Sequence, residues 1–360
     1  MSKGFEGWIL VCPEDKGWQG TSTLIRGNFL YADEESLGIN KEITERNSKI
    51  VYGRPIKASS RVLGKQTPGG DLTFQFRSED LPPVCLAHFQ KYIGTAYGGA
   101  GSLTGSCQYT FYPEDDVPNF GGSAYGTGAY TASKGDAYTI SILKKFFNTS
   151  ENSGINSLWF RSVIVDQMEF SCAANEDAKC KISVKAGNVS VGTAIGSLLD
   201  PNSSLGSYST ANSFLSWTAT MVYAGGTVDV NKFMVTSKNN MEEHQVLGSI
   251  NPQNYRYGRY EVEGAFELDF PRDGLKYFGS MIGGSSLALS ATFYNGTSDW
   301  VAISLPNCRL KPFDVNMKGG AEEASFSLPF VAYAAENGST APITVTVHTL
   351  TYGSTPNTRV

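Results

Sequence analysis

The chain has 360 residues, 41% of them hydrophobic and only 18% charged, with 39 glycines and a formal net charge of −5. That length is comfortable for two domains, and the hydrophobic share is enough to build real cores. The acidic balance excludes a protein that grips phosphate backbones over its whole surface, because such proteins carry a basic surplus.

The first apolar run, Trp8 to Cys12, is followed at once by Glu14 and Asp15 and is too short for a signal peptide. No stretch approaches the ~18 apolar residues of a membrane helix, so the reading is a cytosolic product with no membrane insertion. The cysteines Cys12, Cys85, Cys107, Cys172, Cys180 and Cys308 lack framework spacing and read as reduced packing thiols. Cys172 and Cys180 flank AANEDAK and are the pair that a hairpin could bring face to face. Gly-Gly pairs beginning at Gly69, Gly98, Gly121, Gly225, Gly283 and Gly319 punctuate short alternating runs, the pattern of an all-β chain.

Residues 45–67 form a polar segment carrying Arg46, Lys49, Arg54, Lys57, Arg61 and Lys65. It is too long for a hairpin turn and reads as a long loop, of the kind that is functional or disordered. A strand follows, with Leu72, Phe74 and Phe76 on one face and Thr73, Gln75 and Arg77 on the other. Next comes a short helix: Pro82 and Pro83 suit its first turn, Leu86, Phe89 and Ile93 fall on one side, and Gly94 would stop it. PEDD, from Pro113, lacks alternating oxygen ligands and reads as a solvated turn. Residues 119–138 are rich in Gly, Tyr and Ser and read as an insertion. The nearby tyrosines, Tyr92 to Tyr130, suit half-buried strands or interfaces better than a sugar platform.

No phosphate-binding loop, dinucleotide fingerprint, nucleophile elbow or zinc-protease motif is present. Cys85 and His88 share a helix face but have no second Cys/His pair to complete a metal site. The reading is therefore no enzyme, no metal and no cofactor.

The chain repeats itself. GGDLTFQF, from Gly69, matches EGAFELDF, from Glu263. Upstream, Tyr31-Ala32 matches Tyr223-Ala224, and Ile39-Asn40-Lys41 matches Val230-Asn231-Lys232. The helix pattern returns as Leu275, Phe278 and Ile282, with Gly283 as its stop, and the basic segment has a counterpart in residues 236–260. RSVIVDQMEF resembles VAISLPNCRL, so the second copy lacks a stretch the first carries between about Tyr92 and Ser150. The expected fold class is mainly β: two tandem β-sandwich or partial-barrel domains, each with one short helix, and long extended loops. The boundaries read as an N-terminal arm over 1–20, a first domain over 21–200, a linker over 201–211, a second domain over 212–352 and a tail over 353–360.

The order of GWILVCPEDKGWQGTSTLI, ADEESLGINKEITERNSK, GRPIKASSRVLGK, GGDLTFQF and CQYTFYPEDDVP, closed by FRSVIVDQMEFSCAANEDAKCKISV, resembles the tail tube proteins of long-tailed bacteriophages in a duplicated form. The resemblance implies a structural virion protein made in the host bacterial cytoplasm. Three two-domain chains would form a pseudo-hexameric ring, and stacked rings would form the conduit for DNA ejection. It implies self-association, contacts with tape measure, terminator and baseplate or tip proteins, and DNA passing through without specific binding. The extended loops would touch the adjacent ring, making Arg54, Lys57, Arg61 and Lys65 contact candidates. Glu267 and Asp269, opposite the apolar face of their strand, are lumen candidates. The alternative is a tail-tip or fibre-like module that uses Tyr125 and Tyr130 to bind host surface glycans.

Overall fold

The computed structural model describes residues 7–14, 27–30, 32–45, 49–51, 54–56, 61–75, 77–96, 107–113, 138–146, 157–191, 206–208, 213–214, 219–269, 284, 286–295, 299–312, 325–335 and 340–349. The fold is mainly β, as expected, and the sheets do not close into a barrel. No described helix is long and apolar enough to cross a membrane.

The chain begins with β1 (Gly7–Pro13) and β2 (Gly27–Leu30), then β3 (Ala32–Glu35) and β4 (Gly38–Glu45). A separate hairpin, β5 (Lys49–Val51) with β6 (Arg54–Ile56), precedes the long β7 (Arg61–Gln75). The helix α1 (Leu81–Phe89) leads into β8 (Gln90–Ala96), β9 (Cys107–Pro113) and β10 (Ile140–Phe146). Two long strands follow, β11 (Ser157–Ala173) and β12 (Lys179–Val191), then the short β13 (Gly206–Tyr208). The later strands are β14 (Ala219–Tyr223), β15 (Gly226–Thr227), β16 (Lys232–Lys238), β17 (Glu242–His244), β18 (Asn254–Arg256) and β19 (Glu261–Asp269). The chain finishes with β20 (Leu287–Asn295), β21 (Asp299–Leu310), β22 (Ser325–Ala332) and β23 (Thr344–Thr349).

The two-residue period sets what is buried. Leu72 and Phe74 are fully buried on β7, and Phe266 and Leu268 are buried on β19, while Thr73, Gln75 and Glu267 are half-exposed on the opposite face. Phe76 and Phe270 lie outside the described residues. The two strands hold matching places in the sheet. Leu72 pairs Ile182 and Gln75 pairs Lys179, while Phe266 pairs Leu328 and Asp269 pairs Ser325. The upstream resemblance does not keep this register. Lys41 pairs Gln66, but Lys232 pairs Glu267, seven residues beyond the position equivalent to Gln66.

The basic segment is largely strand rather than loop, and its counterpart carries a short hairpin within longer turns. Residues 45–67 contain β5, β6 and the first half of β7, which is zipped to β4 from Glu45↔Arg61 to Lys41↔Gln66. Residues 236–260 contain the end of β16 and the β17–β18 hairpin. Alternating Val, Ile and Thr positions outweigh the polar composition once a long partner strand is available.

The helix also differs from its sequence reading. It ends at Phe89, and Gln90 takes the left-handed position with φ 66° that Gly94 was expected to occupy. Ile93 and Gly94 belong to β8. The Gln90 side chain holds the turn by donating to Ala87 O at 2.7 Å and accepting from Tyr138 N at 2.7 Å. Every residue of α1 is buried, so a one-sided apolar pattern could not mark its end. The helix read at 275–282 lies outside the described residues.

One core cluster runs from Leu72, Phe74 and Phe170 to Phe266, Phe330 and Val345. Two elements assigned to connecting segments are part of this body. β1, in the span read as an arm, pairs with β10 and β2, and β13, in the span read as a linker, pairs parallel with β2. Buried Glu14 fastens the end of β1. It accepts from Thr139 Oγ1 at 2.5 Å, Ser141 Oγ at 2.6 Å and Ser162 N at 2.9 Å. The β8–β9 hairpin, which falls largely in the stretch read from the sequence as missing from a second copy, adds to β23 from Cys107↔Thr349 to Phe111↔Val345.

Candidate assembly surface

β11 turns one set of strands into a larger sheet. Along one side it pairs with β12 throughout. Along the other it pairs first with β10 and then, from Gln167↔Lys238 to Ala173↔Lys232, with β16. Backbone irregularity makes the change of partner possible: Ser162 has φ 51°, and the register shifts between Val165 and Gln167. The outcome is a continuous run β7–β12–β11–β16–β19–β22.

The core-facing side of this run is apolar, and its other side is charged. Lys179 pairs with Asp33 at 3.5 Å, Lys181 with Asp71 at 4.0 Å and Lys232 with Glu267 at 3.9 Å. Lys238 and Lys311 hold the two oxygens of Glu263 at 2.7 and 3.0 Å. Hydrogen bonds from Lys238 and Lys311 lower the Glu263 pKa below the usual carboxylate value. Thr236 Oγ1 donates to Glu169 at 3.4 Å. Each of these lysines therefore has an acid beside it, so the face presents alternating rather than net charge. Such exposed pairs contribute only ~0–1 kcal/mol each to stability. Their stronger effect is on what the face attracts.

The junction is fixed from the core side by His88. The ring lies on α1 and reaches β16: Nδ1 donates to Val165 O at 3.0 Å, leaving Nε2 to accept from Ser237 Oγ at 2.6 Å. Asn239 Nδ2 donates to His88 O and to Val165 O, both at 3.1 Å. Burial lowers the His88 pKa to about 4, against smaller opposing contributions from Val165 and Asp166. Cys85 is buried and free, as are Cys12, Cys172, Cys180 and Cys308. Burial pushes the Cys172 thiol up to about 11, with smaller help from Glu176 and Asp177. Cys180 pairs with Phe170, and Cys172 with Phe233, so the hairpin does not set the two sulfurs opposite each other. Among the described residues no group of His, Cys, Asp or Glu could hold a metal ion.

The sequence-named candidates fall in several places. Glu267 lies on the charged face, and Asp269 ends β19, where it pairs with Ser325. Arg54 is in β6 opposite Val51, Arg61 opens β7 opposite Glu45, and Lys57 lies outside the described residues. Lys65 forms an ion pair with Glu243 of the β17–β18 hairpin in the same chain. That hairpin folds back on the sheet. Tyr255 donates to Ala186 O at 3.1 Å, and Gln66 N donates to Ile250 O at 2.8 Å. Tyr92 and Tyr109 pack with Phe111 in the hairpin that joins β23, whereas Tyr125 and Tyr130 lie outside the described residues. The β11–β16 joint and its His88 fastening carry no sequence motif, because both depend on contacts between residues far apart in the chain.

The family model described as phage tail tube protein matches residues 10–348. No curated protein matches the chain.

Proposed function

Since the chain belongs to the phage tail tube protein family, we propose that three chains form a ring, each supplying two sectors of a duplicated tube domain, and that stacked rings form the conduit for DNA ejection. The chain is a structural component of the virion tail and not an enzyme. The observation that carries the ring reading is the β11–β16 joint, which connects two strand sets edge to edge within one chain. The shared register of β7 with β12 and of β19 with β22 supports duplication. On one flank β3 and β4 are paired through β7. On the other, β22 is the last strand along Ser325–Pro329 among the described residues. Open edges invite unwanted pairing, and joining copies side by side would remove them.

In this reading the charged face, including Glu267, lines the bore. DNA carries one charge per ~1.7 Å, and free lysines would hold it through counterion release. Lysines already beside acids offer less of that attraction, so DNA slides. Assembly takes place in the host bacterial cytoplasm, and the tube meets tape measure, terminator and baseplate or tip proteins at its interior and ends.

Electron microscopy of the purified protein over a concentration series tests the proposal. Hollow filaments with a regular ring repeat and threefold, pseudo-sixfold end views are expected. Discrete particles that never polymerise, even with tail initiator present, would refute it. Reversing the charges of Arg54, Lys57 and Arg61 together is expected to weaken ring stacking, most clearly at low salt, where the screening length is greatest. Unchanged stacking at low salt would remove these residues from the ring-to-ring contact.

A further inference from the structure

The two ends of β16 differ in a complementary way. At the Lys238 end the chain passes through Asn240, at φ 48°, into the β17–β18 hairpin, whose tip exposes Leu247 completely and Ile250 by half. Gly248, at φ 90°, makes the turn that presents them. Single exposed apolar residues are ordinary, but two within one polar hairpin tip form a compact knob. At the Lys232 end, about 20 Å away for a strand of this length, lies a cavity of about 390 Å³. Its lining is mixed: Met221, Phe233 and Phe293 supply apolar wall, Asn175, Asp229 and Asn231 supply polar wall, and Thr227 is exposed at its margin.

The cavity end is the more acidic: exposed Glu176 and Asp229 and half-exposed Asp177 stand there, with exposed Lys232 ion-paired to Glu267. Exposed Arg256 and Arg259 accompany the knob beside the exposed acids Glu242 and Glu261, and the β5–β6 hairpin that emerges from the same end of β4 and β7 carries Lys49 and Arg54. A knob and a cavity at opposite ends of one chain cannot satisfy each other within that chain. Between copies they make a head-to-tail contact that propagates into a filament.

We infer that the Leu247–Ile250 tip of one ring seats in the cavity of a second copy of this chain in the next ring. This rests on the tube reading and names the contact through which rings stack. The cavity lies within the usual size range of ligand pockets and is roomy enough for aliphatic side chains. Desolvated apolar anchors surrounded by polar residues are the usual energetic centre of such contacts. The adjacent basic residues would steer the approach and set its direction.

The test uses the full chain. Because Leu247 is fully exposed, Leu247→Glu leaves the fold undisturbed and is expected to raise the concentration needed for tubes at least ~10-fold, the factor for ~1.4 kcal/mol. A double variant, Leu247→Cys with Thr227→Cys in a Cys172→Ser background, is expected to give a ladder of disulfide-linked chains when tubes are oxidised, and neither single variant in that background should give one. Tubes formed equally well by wild type and Leu247→Glu, or no ladder from intact double-variant tubes, would overturn the inference while leaving the tube reading in place. A wild-type protein that forms no tubes would defeat both.

Discussion

Gly264→Ala is expected to destabilise the chain by about 3 kcal/mol, and Gly264→Val is expected to leave little soluble folded protein. Gly264 occupies a core-facing position between Val262 and Phe266 on β19. A Cβ there would stand 2.3 Å from Met234 O, 2.5 Å from the Phe330 ring tip and 3.0 Å from a second Phe330 ring carbon. The Phe330 ring is fully buried and fills the space a side chain would take. The backbone oxygen belongs to a strand paired on both sides. Neither neighbour can yield cheaply, so relief requires separating β16 from β19 or displacing the ring, at a typical overpacking cost of ~1–3 kcal/mol for one methyl and more for a branched side chain. Set against a domain stability of ~5–15 kcal/mol, the valine variant has little margin. Ala265→Val, one residue along and on the opposite face, should change stability by no more than ~0.5 kcal/mol. Denaturant midpoints of the three variants check this, and an unchanged midpoint for Gly264→Ala would refute the packing argument.

Lowering the pH from 6.5 to 4 is expected to remove about 3 kcal/mol of stability through His88 alone. In the unfolded chain this histidine takes a proton near pH 6.5, whereas burial holds its folded pKa at about 4. The folded state therefore refuses a proton that the unfolded state accepts throughout that interval. His88 costs nothing above the unfolded value, and the penalty grows as pH falls until the folded value is reached. Glu263 acts in a lower window. Its pKa is lowered by Lys238 and Lys311, so its contribution is present above its unfolded value of 4.5 and is lost as pH falls through its folded value. A His88→Asn variant separates the two: its stability should change less between pH 6.5 and 4.5 than that of the wild type. Equal pH slopes for wild type and variant over that interval would show that His88 does not control this dependence. Because His88 joins α1 to Ser237 through its ring and to Asn239 through its backbone carbonyl, loosening should appear first at the β11–β16 joint, as faster amide exchange in β16.

The alternation of Leu72 and Phe74, and of Phe266 and Leu268, was enough to identify two strands and their buried faces, since a two-residue period has a single structural meaning. Their likeness was visible as phrasing. The upstream match of Asn40-Lys41 to Asn231-Lys232 was not matched in the sheet, because short identities fix no register; register comes from the length and bulges of the partner strand. The helix end was misplaced for a related reason. Gln90 caps it with a side chain that needs Tyr138, nearly fifty residues away, and local propensity favoured the nearer glycine.

What the amino-acid sequence determined by itself was local and compositional: a β-rich chain without a recognised catalytic motif, said nearly twice, with a concentrated basic segment. Each of these follows from residue type and near-neighbour spacing. Only the tertiary structure decided that β11 leaves β10 to take β16, that lysines on the outer face stand beside acids from other strands, and that His88 fastens α1 to β16. Only it set an exposed apolar tip and a cavity of mixed lining at opposite ends of one strand. These depend on pairings across tens to hundreds of residues, where backbone hydrogen bonds and packing select one partner among many that the sequence pattern alone permits.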